Sequence, residues 1–115
     1  MADCLFCKVV AGEIPARIVS RTDDAVAFHD IDPKAPVHVL VIPTRHVSAV
    51  RAASGVDGER LLGRLLAFSA EVAAQLGLDA KGYRIVTNTG PDAGQSVDHL
   101  HFHVLGGRRF SWPPG

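Results

Sequence analysis

His99-Leu100-His101-Phe102-His103-Val104-Leu105 alternates imidazole and apolar side chains over seven residues. A period of two is the signature of an extended strand, whose successive side chains point to opposite faces. Read so, the run predicts a strand over 99–105 with His99, His101 and His103 on one face and Leu100, Phe102 and Val104 on the other. At roughly 3.3 Å of rise per residue, neighbouring rings stand about 6–7 Å apart, close enough for one phosphate to touch two of them. Half of the six histidines share this face, too many for a solvent-facing polar row. A three-histidine zinc site is the rival reading, although neighbours on one flat strand converge poorly to within ~2.1 Å of a single ion.

Just upstream, Gly94-Gln95-Ser96-Val97 leads into this strand. Glycine lets backbone N–H groups approach an anion closely, and Gln95 and Ser96 add side-chain donors. Neither GxxxxGK[ST] nor GxGxxG occurs, so P-loop and Rossmann chemistry are not indicated.

Further out, the chain supplies partners for the strand. Val37–Ile42 is β-branched and apolar apart from His38, and reads as a central strand ended by Pro43. Ala16–Arg21 and Ala25–His29, separated by Thr22-Asp23-Asp24, read as a hairpin. Residues 83–88 read as a further strand, the fourth of five in chain order with 99–105 the last. Asp57 is the expected cap of one long helix over about 58–76, where Leu61, Leu65, Phe68, Val72 and Leu76 make one apolar stripe and Gly77 a stop. A short helix over about 4–11, capped by Asp3, opens the chain. The expected fold is α+β: an antiparallel sheet of about five strands with one long and one short helix. No repeat or linker divides residues 1–115, so one domain is expected. The aromatic tail, Phe110 to Gly115, is too proline-rich for either element and is expected to dock on a surface.

Composition removes several classes. Twelve Lys plus Arg balance twelve Asp plus Glu, so there is no cationic surplus for a nucleic-acid face. A hydrophobic share of 47% argues against disorder. No run approaches the ~20 apolar residues of a membrane span, and residues 1–15 show no secretory pattern. A cytoplasmic protein is expected. There a Cys-x-x-Cys pair, Cys4 and Cys7, reads as metal binding or redox chemistry rather than a structural disulfide. A thioredoxin-like role needs a preceding strand, and haem attachment needs a histidine where Lys8 stands.

Taken together, Gly94-Gln95-Ser96-Val97 and the triple His-x-His-x-His resemble the histidine triad signature. Phe28-His29-Asp30-Ile31, Pro36-Val37-His38 through Pro43, Gly82-Tyr83-Arg84 and the ending Trp112-Pro113-Pro114-Gly115 extend the likeness to nearly the whole chain. They resemble the Hint branch, the histidine triad nucleotide-binding proteins. That resemblance implies a homodimer that binds purine nucleoside monophosphates such as AMP and GMP and hydrolyses nucleoside 5′-phosphoramidates. A dinucleoside polyphosphate hydrolase and a non-catalytic nucleotide-binding scaffold are the alternatives.

Residue by residue, the resemblance makes His101 the nucleophile that becomes nucleotidylated, His103 its phosphate-contacting neighbour, and His38 and His99 supporting histidines. Asp30 would bind the ribose hydroxyls, with Ile31 against the base and Phe6 and Phe28 walling its pocket. Asn88, Gly94, Gln95 and Ser96 match phosphate-side contacts. His38, or a relay through Ser96, would protonate the leaving amine. His29 has no evident task beyond structure. Cys4 and Cys7 depart from the animal pattern and resemble bacterial members in which such a pair joins two histidines, here His46 and His99, on structural zinc. Such a closed Cys₂His₂ site leaves no position for water. Histidine is already nucleophilic near neutral pH, so the expected chemistry needs no metal of its own.

Overall fold

A computed structural model describes residues 3–115. In chain order the elements are α1 (Leu5–Val10), β1 (Ile18–Arg21), β2 (Ala25–His29), β3 (Val37–Pro43), a 3-10 turn at Val50–Ala52, α2 (Gly55–Gln75), β4 (Tyr83–Val86) and β5 (Phe102–Gly106). The five strands form one antiparallel sheet in the order β1-β2-β3-β5-β4. This is the expected α+β architecture.

Alternation along β2, β3 and β5 gives the sheet two apolar faces. Ala25, Ala27, Val39, Val41, Phe102 and Val104 point one way, onto the Leu61, Leu65, Phe68 and Val72 stripe of α2. Each Val, Leu or Phe among them, fully buried, contributes roughly 1.5–3 kcal/mol. Val26, Phe28, Leu40 and Ile42 point the other way, onto Phe6 and Val9 of α1. The two helices therefore lie on opposite faces.

Several boundaries differ from the sequence reading. The long helix begins at Gly55, with Ser54 before it and Asp57 in its first turn rather than at its cap. Gly55 has φ +72°, a conformation that glycine alone adopts cheaply, and it lets the chain turn out of the 3-10 segment into α2. At the other end, Gly77 N–H bonds Ala74 O and Leu78 N–H bonds Ala73 O, the double closure of a Schellman motif. Cys4, not Asp3, caps α1, its Sγ accepting from Cys7 N–H. β1 starts at Ile18 rather than Ala16, and β4 ends at Val86. Among the described residues no helix is long and apolar enough to cross a membrane.

The most consequential shift concerns the histidine strand, which pairs only from Phe102 onward. Leu100 N–H leaves the ladder to donate to Val47 O at 2.6 Å, so residues 99–101 lie outside the paired strand, with His99 in a bend. Their alternation survives. Leu100 joins the α2-side core, while His99 and His101 both meet Phe6 of α1 edge to face. The tail is half docked: Phe110 lies under the guanidinium groups of Arg108 and Arg84, whereas Trp112 is 82% exposed.

Candidate active site

A cleft of ≈ 240 Å³ opens between α1 and the sheet. Leu5, Phe6 and Val9 of α1 line it together with Phe28 and Leu40, and so do the polar side chains of Asp30, Ser96, His101 and His103. An apolar slot opening onto histidines and a carboxylate suits a ligand with a flat ring at one end and an anion at the other.

Backbone groups set the proton positions on its histidines. The His101 Nδ1 lies 2.7 Å from His99 O, and a carbonyl only accepts, so Nδ1 carries the proton and Nε2 the lone pair. Lys34 N–H donates to His38 Nδ1 at 3.0 Å. His38 must then carry its proton on Nε2, which lies 2.9 Å from His103 Nδ1 and donates to it. That leaves His103 with its proton on Nε2. Burial, reinforced by His101 and His38, pushes His103 down to about 4, so it serves as a neutral donor near pH 7. His38 is lowered too, by burial, with Asp30 opposing. The rings of His101 and His103 are 5.1 Å apart, closer than an ideal flat strand would set them. One can attack a phosphorus while the other donates to its oxygens.

Other predicted residues stand around this pair. Asp30 Oδ1 accepts Asp32 N–H at 2.8 Å, and Oδ2 lies 3.4 Å from His38 Nε2. Ile31 is fully exposed at the rim of the cleft. Gln95 spends its amide on main-chain groups, accepting from Gly90 N–H and donating to Val97 O within its own loop and to Ser48 O in the segment after β3. Asn88, Gly94, Gln95 and His38 do not line the cleft, whereas His29, read from sequence as structural, does. The reading also missed Thr87, whose hydroxyl donates to His101 O at 2.8 Å, and, beside the expected Phe6, the other two α1 residues of the cleft wall, Leu5 and Val9. Leu5, Phe6 and Val9 carried a usable signal, being apolar positions at helical spacing.

Cys4, Cys7, His46 and His99 gather from three separate segments beside this site, their ligand atoms all within 4.8 Å of one another. Cys4 Sγ and Cys7 Sγ lie 3.3 and 3.6 Å from His99 Nδ1, and Cys7 Sγ lies 3.4 Å from His46 Nδ1. In a tetrahedron with Zn–S of about 2.3 Å and Zn–N of about 2.05 Å, sulfur and nitrogen sit about 3.5 Å apart. The residues fit. His99 Nε2 donates to Pro43 O at 3.0 Å, which turns the unprotonated Nδ1 toward the thiols. Burial and then Cys4 push the Cys7 thiol up, a strain that a divalent cation relieves by taking both as thiolates. A second grouping, Asp30, His38 and His103, is better described as hydrogen-bonded, because its 2.9 Å nitrogen–nitrogen distance is short for two ligands of one ion.

Residues 11–110 match the HIT domain family. The chain is 45% identical over 121 residues to a 14 kDa zinc-binding protein of Brassica juncea, covering 98% of this chain and 100% of that protein. It is 44% identical over 119 residues to adenylylsulfatase HINT1 of Arabidopsis thaliana, covering 96% and 76%. The crystal structure of a HIT family hydrolase from Legionella pneumophila superposes with a TM-score of 0.94 at 43% identity, covering 98% of this chain and all of that one.

Proposed function

The chain belongs to the HIT domain family, and from that membership we propose that it hydrolyses purine nucleoside 5′-phosphoramidates through a nucleotidyl-histidine intermediate. The observation that carries the reading is the His99 O to His101 Nδ1 hydrogen bond, which leaves an unprotonated Nε2 on a ring lining the cleft. Nε2 attacks the α-phosphorus and the P–N bond to the amine breaks. The departing nitrogen takes a proton through the Ser96 hydroxyl, replenished from solvent. His38 is a poor direct donor, since its one N–H is aimed at His103. His103 Nε2–H stabilises charge on the phosphoryl oxygens. Water then attacks the phosphohistidine, releasing the nucleoside monophosphate and a proton and restoring the Nε2 lone pair.

In this reading Phe6, Phe28 and Ile31 hold the purine, Asp30 accepts from the ribose hydroxyls, and Ser96, carried by the loop that turns at Gly94, faces the phosphate. Gln95 braces that loop through its bonds to Gly90 N–H and Val97 O. Cys4, Cys7, His46 and His99 would hold zinc in a structural role, tying α1 to the sheet. A homodimer accords with the exposed Trp112 and with β4, which ends the sheet as an edge strand. Sedimentation at micromolar concentration tests it.

Incubation with adenosine 5′-phosphoramidate tests the chemistry. AMP release with a labile adduct on His101, and loss of turnover in His101→Ala with AMP still bound, is the expected result. Near wild-type turnover in His101→Ala would remove the mechanism. Complete inertness of the wild type with AMP bound would instead favour a nucleotide-binding scaffold.

A further inference from the structure

We propose that metal binding and nucleotide binding are thermodynamically coupled through Phe6, a positioning residue between the Cys4/Cys7/His46/His99 cluster and the nucleotide cleft. The inference rests on the metal and nucleotide readings given above and adds their interdependence.

Helix α1 has six residues, too few to be stable unless something holds it in place. It supplies three residues of the cleft wall and, at its cap and first turn, both thiols. Phe6 stands between those thiols in sequence and is 5% exposed. Its ring meets Phe28 at 5.7 Å, His99 at 5.9 Å and His101 at 5.2 Å, each close to perpendicular. One side chain therefore touches the wall of the cleft, a metal ligand and the nucleophile.

The remaining ligands, His46 and His99, lie after β3 and before β5. An ion on all four joins α1 to the sheet and fixes Phe6 in the cleft wall. A nucleotide filling that cleft packs on the same helix and holds it from the other side. Two ligands that order one helix each lower the ordering cost met by the other. The coupling is reciprocal: zinc tightens nucleotide binding, and nucleotide tightens zinc binding, by the same factor. The sheet and α2 persist without the ion, because their shared core lies on the opposite face and contains no α1 residue.

The test measures AMP affinity of zinc-loaded and chelator-treated protein by calorimetry, and zinc affinity against a chromophoric chelator with and without saturating AMP. Both arms should change by the same factor, on the order of tenfold. In addition, AMP should slow amide hydrogen exchange in α1 of the chelator-treated protein. Phe6→Ala should still bind zinc, raise KM more than it lowers kcat, and bring the coupling factor close to one, with Phe6→Leu recovering most of it. The kinetics of these two variants are measured zinc-loaded, and their coupling factor is taken, as for the wild type, from zinc affinity with and without saturating AMP.

Zinc affinity indifferent to AMP, with both ligands binding, overturns the coupling alone. Full coupling in Phe6→Ala overturns the role of Phe6. Failure to bind zinc removes the metal reading, failure to bind AMP removes the nucleotide reading, and the proposal falls with either.

Discussion

His38 Nε2 lies 2.9 Å from His103 Nδ1, and the direction of that hydrogen bond is dictated by a backbone amide two side-chain steps away. Lys34 N–H can only donate, so His38 Nδ1 accepts, and the proton order runs outward until it leaves His103 with Nε2–H at the cleft. The His99 carbonyl imposes the opposite order on His101. Two chemically identical side chains, 5.1 Å apart, thus become an acceptor and a donor, one set directly by a carbonyl and the other by an amide relayed through His38.

Breaking the first relay should cost rate more than binding. In His38→Ala nothing obliges His103 to keep its proton on Nε2, and kcat should fall on the order of a hundredfold, the usual loss for one misplaced oxyanion donor. AMP affinity should change little. His38→Gln can still donate from its amide to His103 Nδ1 and should recover part of the loss. Steady-state kinetics on the phosphoramidate together with AMP titration separate the outcomes; Gln no better than Ala would argue against a tautomer role.

Asp30 offers a different signature, because its proposed partner is the ribose. Asp30→Asn keeps an oxygen for the Asp32 N–H but loses the charge. A hydrogen bond to a charged group is worth roughly 1.5–3 kcal/mol, so AMP affinity should drop on the order of tenfold or more. The 2′,3′-dideoxy analogue should bind the variant and the wild type equally. Equal losses for both ligands would mean that Asp30 serves the loop rather than the sugar.

What could be read from the sequence followed from periodicity, and what escaped it was tertiary. The alternation of 99–105 and the stripe of Leu61, Leu65, Phe68 and Val72 reported which side chains share a face, and both held. The start of β5 did not, because Leu100 N–H is claimed by Val47 O, a contact between segments over fifty residues apart. Asp57 and Ser54 are both plausible caps by residue type. The choice went to the earlier position because Gly55 can take a positive φ. His29 and Thr87 gave no signal, since a lone histidine or threonine in a strand region means nothing until the fold surrounds it.

Acid should destabilise the fold through the half-buried His103 and the buried His38. His103 titrates at about 4 in the folded chain against 6.5 for an ordinary histidine, so between these values the unfolded chain binds more protons than the native one. Stability then rises with pH across this window. It is fully present above about 6.5 and declines as pH falls toward about 4, with His38, lowered in the same sense, adding to the decline. Thermal melts from pH 7.5 to pH 4.5 should show this fall, and His103→Asn should flatten it. A melting temperature independent of pH in the wild type would contradict the neutral state of these rings in the folded chain.

Two glycines of α2 should respond oppositely to the same substitution. Glycine inside a helix costs about 1 kcal/mol relative to alanine, through backbone entropy. At exposed Gly63 an added Cβ meets nothing within 4 Å, so Gly63→Ala should raise the urea midpoint by an amount worth about 0.5–1 kcal/mol. At buried Gly58 the same Cβ would run into the Ala53 carbonyl carbon and stand 2.6 Å from its oxygen, and main chain cannot swing aside as a side-chain end can. Overpacking of this kind costs typically 1–3 kcal/mol, enough to outweigh the propensity gain, so Gly58→Ala should lower the midpoint. Neither residue lines the cleft, and AMP affinity should be unchanged in both folded variants. Stabilisation by Gly58→Ala would mean that the approach of α2 to the turn at Ala53 is looser than its close contact implies.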